Sequence, residues 1–153
     1  MLNNNEEFIY TDPEKNYNER NEGIHTIDLV LDGEVIGSAE LTYYSKPIPL
    51  YQLSELYVEF EYQGQGRASA IMDQVESFIK KRGKAGTLVD GIMMGNPASG
   101  MYKKRGWLEV PSIPDLFVFN LPKGASLDDF VAYPFRQTDP MERESWQDKI
   151  KND

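Results

Sequence analysis

Apolar and polar positions change period several times along this chain, and each change predicts an element. Phe8-Ile9-Tyr10 reads as a short first strand, preceded by a polar start, Met1 to Glu7, that is predicted to fray. Thr11 to Gly23 is rich in Asn, Glu and Pro and has no apolar period. Ile24 to Leu31 predicts a strand, Asp32-Gly33 a hairpin turn and Val35 to Tyr44 the returning strand. Lys46-Pro47-Ile48-Pro49 interrupts any ladder. A central strand is then predicted from Leu53 to Val58, because Leu53, Leu56, Tyr57 and Val58 are apolar toward both faces. From Arg67 to Arg82 the period becomes helical, with Ile71, Met72, Val75, Phe78 and Ile79 on one stripe, Lys80, Lys81 and Arg82 in the last turn and Gly83 just beyond.

The second half repeats the alternation. Thr87 to Met94 predicts an apolar strand that lies parallel to the central one through a right-handed crossover. A short helix over Asn96 to Arg105 and strands near Trp107 to Val110 and Leu116 to Leu121 follow. The fold class is α/β of the α+β kind, a mixed and mostly antiparallel sheet with one parallel pair, flanked by helices. Residues 1–122 read as one domain and 123–153 as an arm. In the arm Ser126, Asp128 and Asp129 predict a short helix, and Asp139-Pro140 with Glu142 predicts a second. Phe130, Tyr133, Phe135 and Trp146 are aromatics suited to packing on the domain or on a second subunit, which leaves a homodimer open.

Composition narrows the chemistry. At 153 residues the chain suits one domain with a sizeable core. A formal charge of −9 disfavours nucleic acid and anionic membrane as partners and mildly favours cationic ones such as amines. No cysteine is present, so disulfides, thiolate metal sites and a cysteine nucleophile are excluded. No metal is expected. The absence of an apolar run of about 18 residues, and of a signal-peptide pattern, leads to a cytoplasmic expectation.

Leu53 to Ala68 carries the most chemistry, since a strand, a glycine turn and a helix start follow one another without a break. Gly64 and Gly66 allow positive φ and close backbone approach, so successive N–H groups can converge on one anion at the positive end of the helix dipole. The run lacks the Lys-Ser/Thr of a nucleotide P-loop and the third glycine of a dinucleotide turn.

Gln63-Gly64-Gln65-Gly66-Arg67-Ala68 resembles the Gln/Arg-x-x-Gly-x-Gly/Ala signature of the GCN5-related N-acetyltransferase (GNAT) superfamily, and Leu56-Tyr57-Val58 looks like that family's splayed strand. Downstream, Asn96-Pro97-Ala98-Ser99-Gly100-Met101-Tyr102-Lys103-Lys104-Arg105-Gly106-Trp107 resembles its second motif. Phe60 stands where Pro is frequent, Ala68 for the commoner Gly and Trp107 for Phe, and Asn96 lies one residue nearer Tyr102 than is usual. The helices that often follow the first strand in relatives and wall the acceptor site have little room in Thr11 to Gly23.

The resemblance implies an acetyl-CoA-dependent N-acetyltransferase acting on a primary amine of a small molecule or protein. By it, Gln63, Gly64, Gly66, Arg67, Ala68 and Ser69 hold the cofactor's pyrophosphate, mostly through main-chain N–H groups. Tyr57 and Val58 bind the pantetheine arm as an added strand, with the Val58 main chain also facing the reacting carbonyl, and Asn96 and Tyr102 contact the cofactor. Tyr102 would protonate the leaving thiolate, the alternative being a packed core tyrosine. An amine with pKa about 10.4 must shed a proton. Glu55 is the first choice of base, with Glu59 on the same face and Glu40 and Asp90 on neighbouring strands; the alternative is a solvated strand carboxylate. His25 reads as a strand surface residue. Lys103, Lys104 and Arg105 would meet the cofactor's 3′-phosphate or simply favour the helix dipole. A second class of function stays open, a binding or regulatory module that keeps the acyl-CoA cleft without turnover.

Overall fold

The computed structural model describes residues 5–11, 23–45, 48–89 and 99–130. Among these, seven strands make one mixed sheet: β1 (Glu6–Thr11), β2 (Ile24–Leu31), β3 (Glu34–Tyr44), β4 (Leu50–Val58), β5 (Ala85–Val89), β6 (Leu108–Glu109) and β7 (Leu116–Phe119), ordered β1-β2-β3-β4-β5-β7-β6. All neighbours are antiparallel except β4 and β5. Helix α1 (Arg67–Lys81) makes the crossover between those two, and α2 (Ser99–Lys104) follows β5. The β2–β3 turn is tight because Asp32 and Gly33 both take positive φ, 49° and 84°, which matches the twist of the strands it joins.

Two irregularities in the ladders decide which side chains face which way. One falls between Leu29 and Val30 opposite β3, the other between Glu40 and Leu41 opposite β4, where Leu41 pairs with Leu53 but Glu40 with Glu55. Ser54 is therefore the extra residue of a bulge, and the side-chain alternation of β4 reverses there. Tyr51 and Leu53 before the bulge and Leu56 and Val58 after it share one apolar face. Glu55 and Tyr57, which an unbroken period would bury in that core, are exposed on the other face instead.

The apolar face is covered by α1 and α2, through Ile71, Met72, Val75, Phe78, Ile79, Tyr102 and Trp107. The approach is close: a Cβ on Gly86 would stand 2.6 Å from Ile79 Cδ1, so a larger residue there would make the Ile79 side chain shift. A second core lies at the β5–β7 end, where Leu50, Val89, Leu116 and Val118 pack with Val110, Ile113 and Phe130. Phe130 closes a short 3₁₀ turn, Leu127–Phe130, in which the Asp129 carboxylate accepts the Ser126 N–H at 2.8 Å. The first residues of the arm thus pack on the domain; 131–153, with its predicted second helix, lie outside the described residues.

Several expectations need correction. Glu6 and Glu7 do not fray but begin β1, because the Glu6 carboxylate is held by Arg67. The central strand starts at Leu50, not Leu53, since Pro49 stands just outside the ladder and its missing N–H costs nothing there. The strand after α1 begins at Ala85 rather than Thr87, its glycine serving helix approach rather than a turn, and 90–98 lie outside the described residues. His25 is buried rather than on the surface, packed edge-on against Tyr51 and Phe78 with its Nδ1 2.5 Å from the Tyr10 hydroxyl. Helix α1 ends one residue early, at Lys81.

Candidate active site

β4 pairs with β5 only from Leu50 to Leu53, opposite Ala85 to Leu88. Beyond that point β3 still pairs with β4 as far as Val58, whereas among the described residues no β5 partner accompanies Ser54 to Val58. Among the described residues that edge of the central strand has no ladder partner past Leu53, and an extended chain with alternating donors and acceptors can complete it. The edge leads straight into the glycine turn. Glu59 N–H donates to the Ile36 carbonyl at 2.8 Å, a 3₁₀ turn follows over Phe60–Tyr62, and the Gln63 amide Nε2 reaches back to donate to the Val58 carbonyl at 2.8 Å. That bond fixes the distance between strand end and turn.

Gly64 and Gly66 take φ of 75° and 83°, and a Cβ on either would meet nothing within 4 Å, so the turn is demanding in backbone angle but open in front. Gly66 is the N-cap of α1, and no side chain caps the helix and no carboxylate sits in its first turn. Most helices satisfy these N–H groups with a Ser, Thr, Asp or Asn. Here the first-turn amides, at Arg67, Ala68 and Ser69, have no side-chain cap, a helix end of the kind whose dipole attracts an anion by about 0.3–1 kcal/mol.

The charged side chains of this turn are already committed. Arg67 donates through Nη2 to Glu6 at 2.6 Å, with side chains only 10 % and 2 % exposed, and through Nη1 to the Gln65 side chain at 2.5 Å and the Tyr62 carbonyl at 3.3 Å. Its guanidinium also lies 5.3 Å from the Tyr62 ring. The arginine side chain therefore latches the turn to β1. Arg105, expected to meet a phosphate or the helix dipole, instead grips Asp73 and Glu76 of α1 and donates to Ser69 Oγ at 2.9 Å. Burial works against its charge, yet those two carboxylates outweigh it and raise its pKa. Glu76 also accepts the Trp107 indole N–H at 2.9 Å, so this cluster fastens the end of α2 to the cradle helix.

Tyr102 is completely buried, with ring centroids 6.2 Å from Trp107 and 5.9 Å from Phe117. Packing and proton donation both place a tyrosine on this helix. Asn96 and Asp90 lie outside the described residues. On the opposite face of β4, Glu55 is exposed and stands across from Glu40. Burial first, then the charge of Glu55, pushes the Glu40 carboxyl above the usual carboxylate range, and a hydrogen bond from Ser54 offsets only part of this. Tyr57, beside them, is pushed up by burial and then by Asp28, Glu59 and Glu55, and stays neutral near physiological pH. Glu40, paired across the ladder with the Glu55 that the sequence put first as base, is thus a carboxyl pushed toward neutrality. The signal lay in the β3–β4 register, which a bulge hides. Glu6 was missed as well, although its parity with Phe8 and Tyr10 along β1 pointed it at α1.

Comparison with known proteins agrees with this layout. Residues 3–107 match the sequence model of the Acetyltransferase (GNAT) family. The chain belongs to the GNAT acetyltransferase family. Solved structures share the fold: a GNAT acetyltransferase from Elizabethkingia anophelis with acetyl-CoA bound is 14 % identical with TM-score 0.51, covering 69 % of this chain and 78 % of that one. A GNAT N-acetyltransferase from Escherichia coli in complex with CoA is 17 % identical with TM-score 0.50, covering 61 % and 57 %. An acetyl transferase from Pyrococcus furiosus is 16 % identical with TM-score 0.51, covering 67 % and 94 %. No curated protein matches the chain in sequence. Among the described residues no His, Cys, Asp or Glu group could hold a metal, and no helix is long and apolar enough to cross a membrane.

Proposed function

We propose that this GNAT protein transfers acetyl from acetyl-CoA to a primary amine by direct attack, with both substrates bound together. The observation that carries the reading is the continuity from the β4 edge past Leu53 through the glycine turn to an uncapped helix start. A diphosphate fits the turn because it needs main-chain donors, positive charge without a competing carboxylate, and space in front of the glycines. Gln63, Gly64, Gly66, Arg67, Ala68 and Ser69 would hold it, and Tyr57 and Val58 would bind the arm that follows. When bound, acetyl-CoA supplies the activated acetyl group.

The protein's part is placement and proton handling. Main-chain donors at the β4 edge near Val58 stabilise charge that develops on the acyl oxygen, an effect worth a few kcal/mol when water is excluded. Glu40 and Glu55 lie on the face of β4 away from α1, so an amine coming from that side meets two carboxylates before it meets the edge. Glu40, with its raised pKa, is suited to take the proton, and Glu55 to attract the ammonium form. Tyr102, on the α1 side, is assigned the leaving thiolate's proton by its place in the second motif.

Thiol release from acetyl-CoA tests this when measured with a panel of polyamines, aminoglycosides, amino acids and peptides. Acceptor-dependent release is expected, and it should fall at least tenfold in Glu40→Gln. The complete burial of Tyr102 favours a second reading, an acyl-CoA-binding module without turnover. Tight cofactor binding with no thiol release across the whole panel would select that module.

A further inference from the structure

We infer that the groove between β1 and the C-terminal half of α1 is a binding site for a small aromatic carboxylate, separate from the cradle. The groove encloses about 230 Å³. Its apolar lining is Phe8, Ile27 and Phe78, with the Tyr10 ring 5.3 Å from that of Phe78. Its rim is polar and cationic, with Gln74 and Ser77 along the helix and Lys81 and Arg82 at the end. Among the described residues no carboxylate lines it, in a chain whose net charge is −9. A local reversal of sign beside an aromatic lining selects an anion that carries a ring.

Arg82 gives the site its geometry. Its guanidinium lies 3.5 Å from the centroid of the Phe78 ring and 5.6 Å from that of Tyr10, so stacking holds the donor plane in place. Its bonds to the Phe78 carbonyl and the Tyr10 hydroxyl are both long, at 3.4 Å, and the Tyr51 hydroxyl is a further partner. A carboxylate would offer shorter, charge-assisted partners, with Lys81 as a second cation. The short Tyr10–His25 hydrogen bond and the packing of His25 on Phe78 stiffen the pocket. Size sets the ligand: 230 Å³ falls below the roughly 300–1,000 Å³ of sites for drug-sized molecules, leaving room for one ring and its carboxylate but not for a nucleotide. Along α1, at about 1.5 Å per residue, the lining runs from Gln74, about 10 Å from the Arg67 end, to Lys81, about 21 Å from it.

Salicylate is the probe. Titrated into the full chain and followed by amide NMR shifts, it should saturate with the shifts centred on Phe8, Tyr10, Ser77 and Arg82. Acetate, which lacks the ring, and benzyl alcohol, which lacks the charge, should bind at least tenfold more weakly. Arg82→Gln should lower the affinity about tenfold; Lys81 is exposed, so Lys81→Gln repeats the test without touching the stack on Phe78. The site does not exist if binding fails to saturate, if the shifts centre on 56–69, or if salicylate binds Lys81→Gln as tightly as the parent chain.

Discussion

The two ends of α1 solve the same electrostatic problem in opposite ways. At its C-terminus the helix is closed by its own chain: Gly83 takes φ 63°, the Gly83 N–H donates to the Lys80 carbonyl and the Lys84 N–H to Ile79, and Lys80 and Lys81 sit where cations are favoured. At its N-terminus nothing of the kind is present. Gly66 caps the helix with backbone angles alone, and the cation that opens it, Arg67, is neutralised by Glu6. A helix end completed from within is structural, while one held rigid yet left uncompleted is prepared for a ligand.

Matched glycine substitutions break this contrast most sharply. Gly66→Val should weaken acetyl-CoA binding by roughly ten- to hundredfold, because a β-branched residue at positive φ costs about 1–3 kcal/mol and the cradle must leave its shape to relieve it. Gly83→Val carries similar strain but should appear as a lower melting temperature with cofactor affinity unchanged. Calorimetry on both variants checks the pair, and equal effects on affinity would remove the distinction between the two ends. Next in size, Tyr102→Phe should lower turnover about tenfold or more while cofactor affinity is kept, as for a lost proton donor. Unchanged steady-state turnover would leave Tyr102 as packing for Trp107 and Phe117.

Smaller effects sharpen the picture. Glu6→Gln loosens the latch on Arg67 and should raise the acetyl-CoA dissociation constant several-fold, about 1 kcal/mol, without lowering saturated turnover. A drop in turnover with the binding constant unchanged would mean that the latch does not serve the cradle. The smallest effect concerns Glu40. A carboxyl raised in the folded state contributes stability that is complete below its ordinary value of 4.5 and is lost as pH rises through the raised value. Glu40→Gln should therefore melt higher than the parent chain at neutral pH, with the gap closing under acid conditions. Parallel melting curves across that window would show that Glu40 is not perturbed.

Much of the fold was readable because its signals are local. The helical stripe from Ile71 to Ile79, the Asp32-Gly33 turn and the order of strand, glycine turn and helix all depend on neighbours within a few residues. The basic run at the end of α1 was legible, but not that Arg82 would stack on Phe78 and Tyr10 across from β1. Glu6 looked like part of a solvated start until Arg67, 61 positions away, gave it a partner. His25 read as surface for the same reason, since its burial depends on Phe78 and Tyr51 from other elements.

By itself the sequence determined the family, the strand and helix order and the place of the glycine turn before α1, because glycines and helical spacing act through local backbone sterics. The tertiary structure alone decided which carboxylates face which side. A single extra residue at Ser54 reverses the alternation of β4, setting Glu55 and Tyr57 opposite the helical core and bringing Glu40 beside Glu55. A bulge leaves no mark in composition or period, for it arises where two strands of fixed lengths must pair around a common core, and that constraint exists only once the chain has folded.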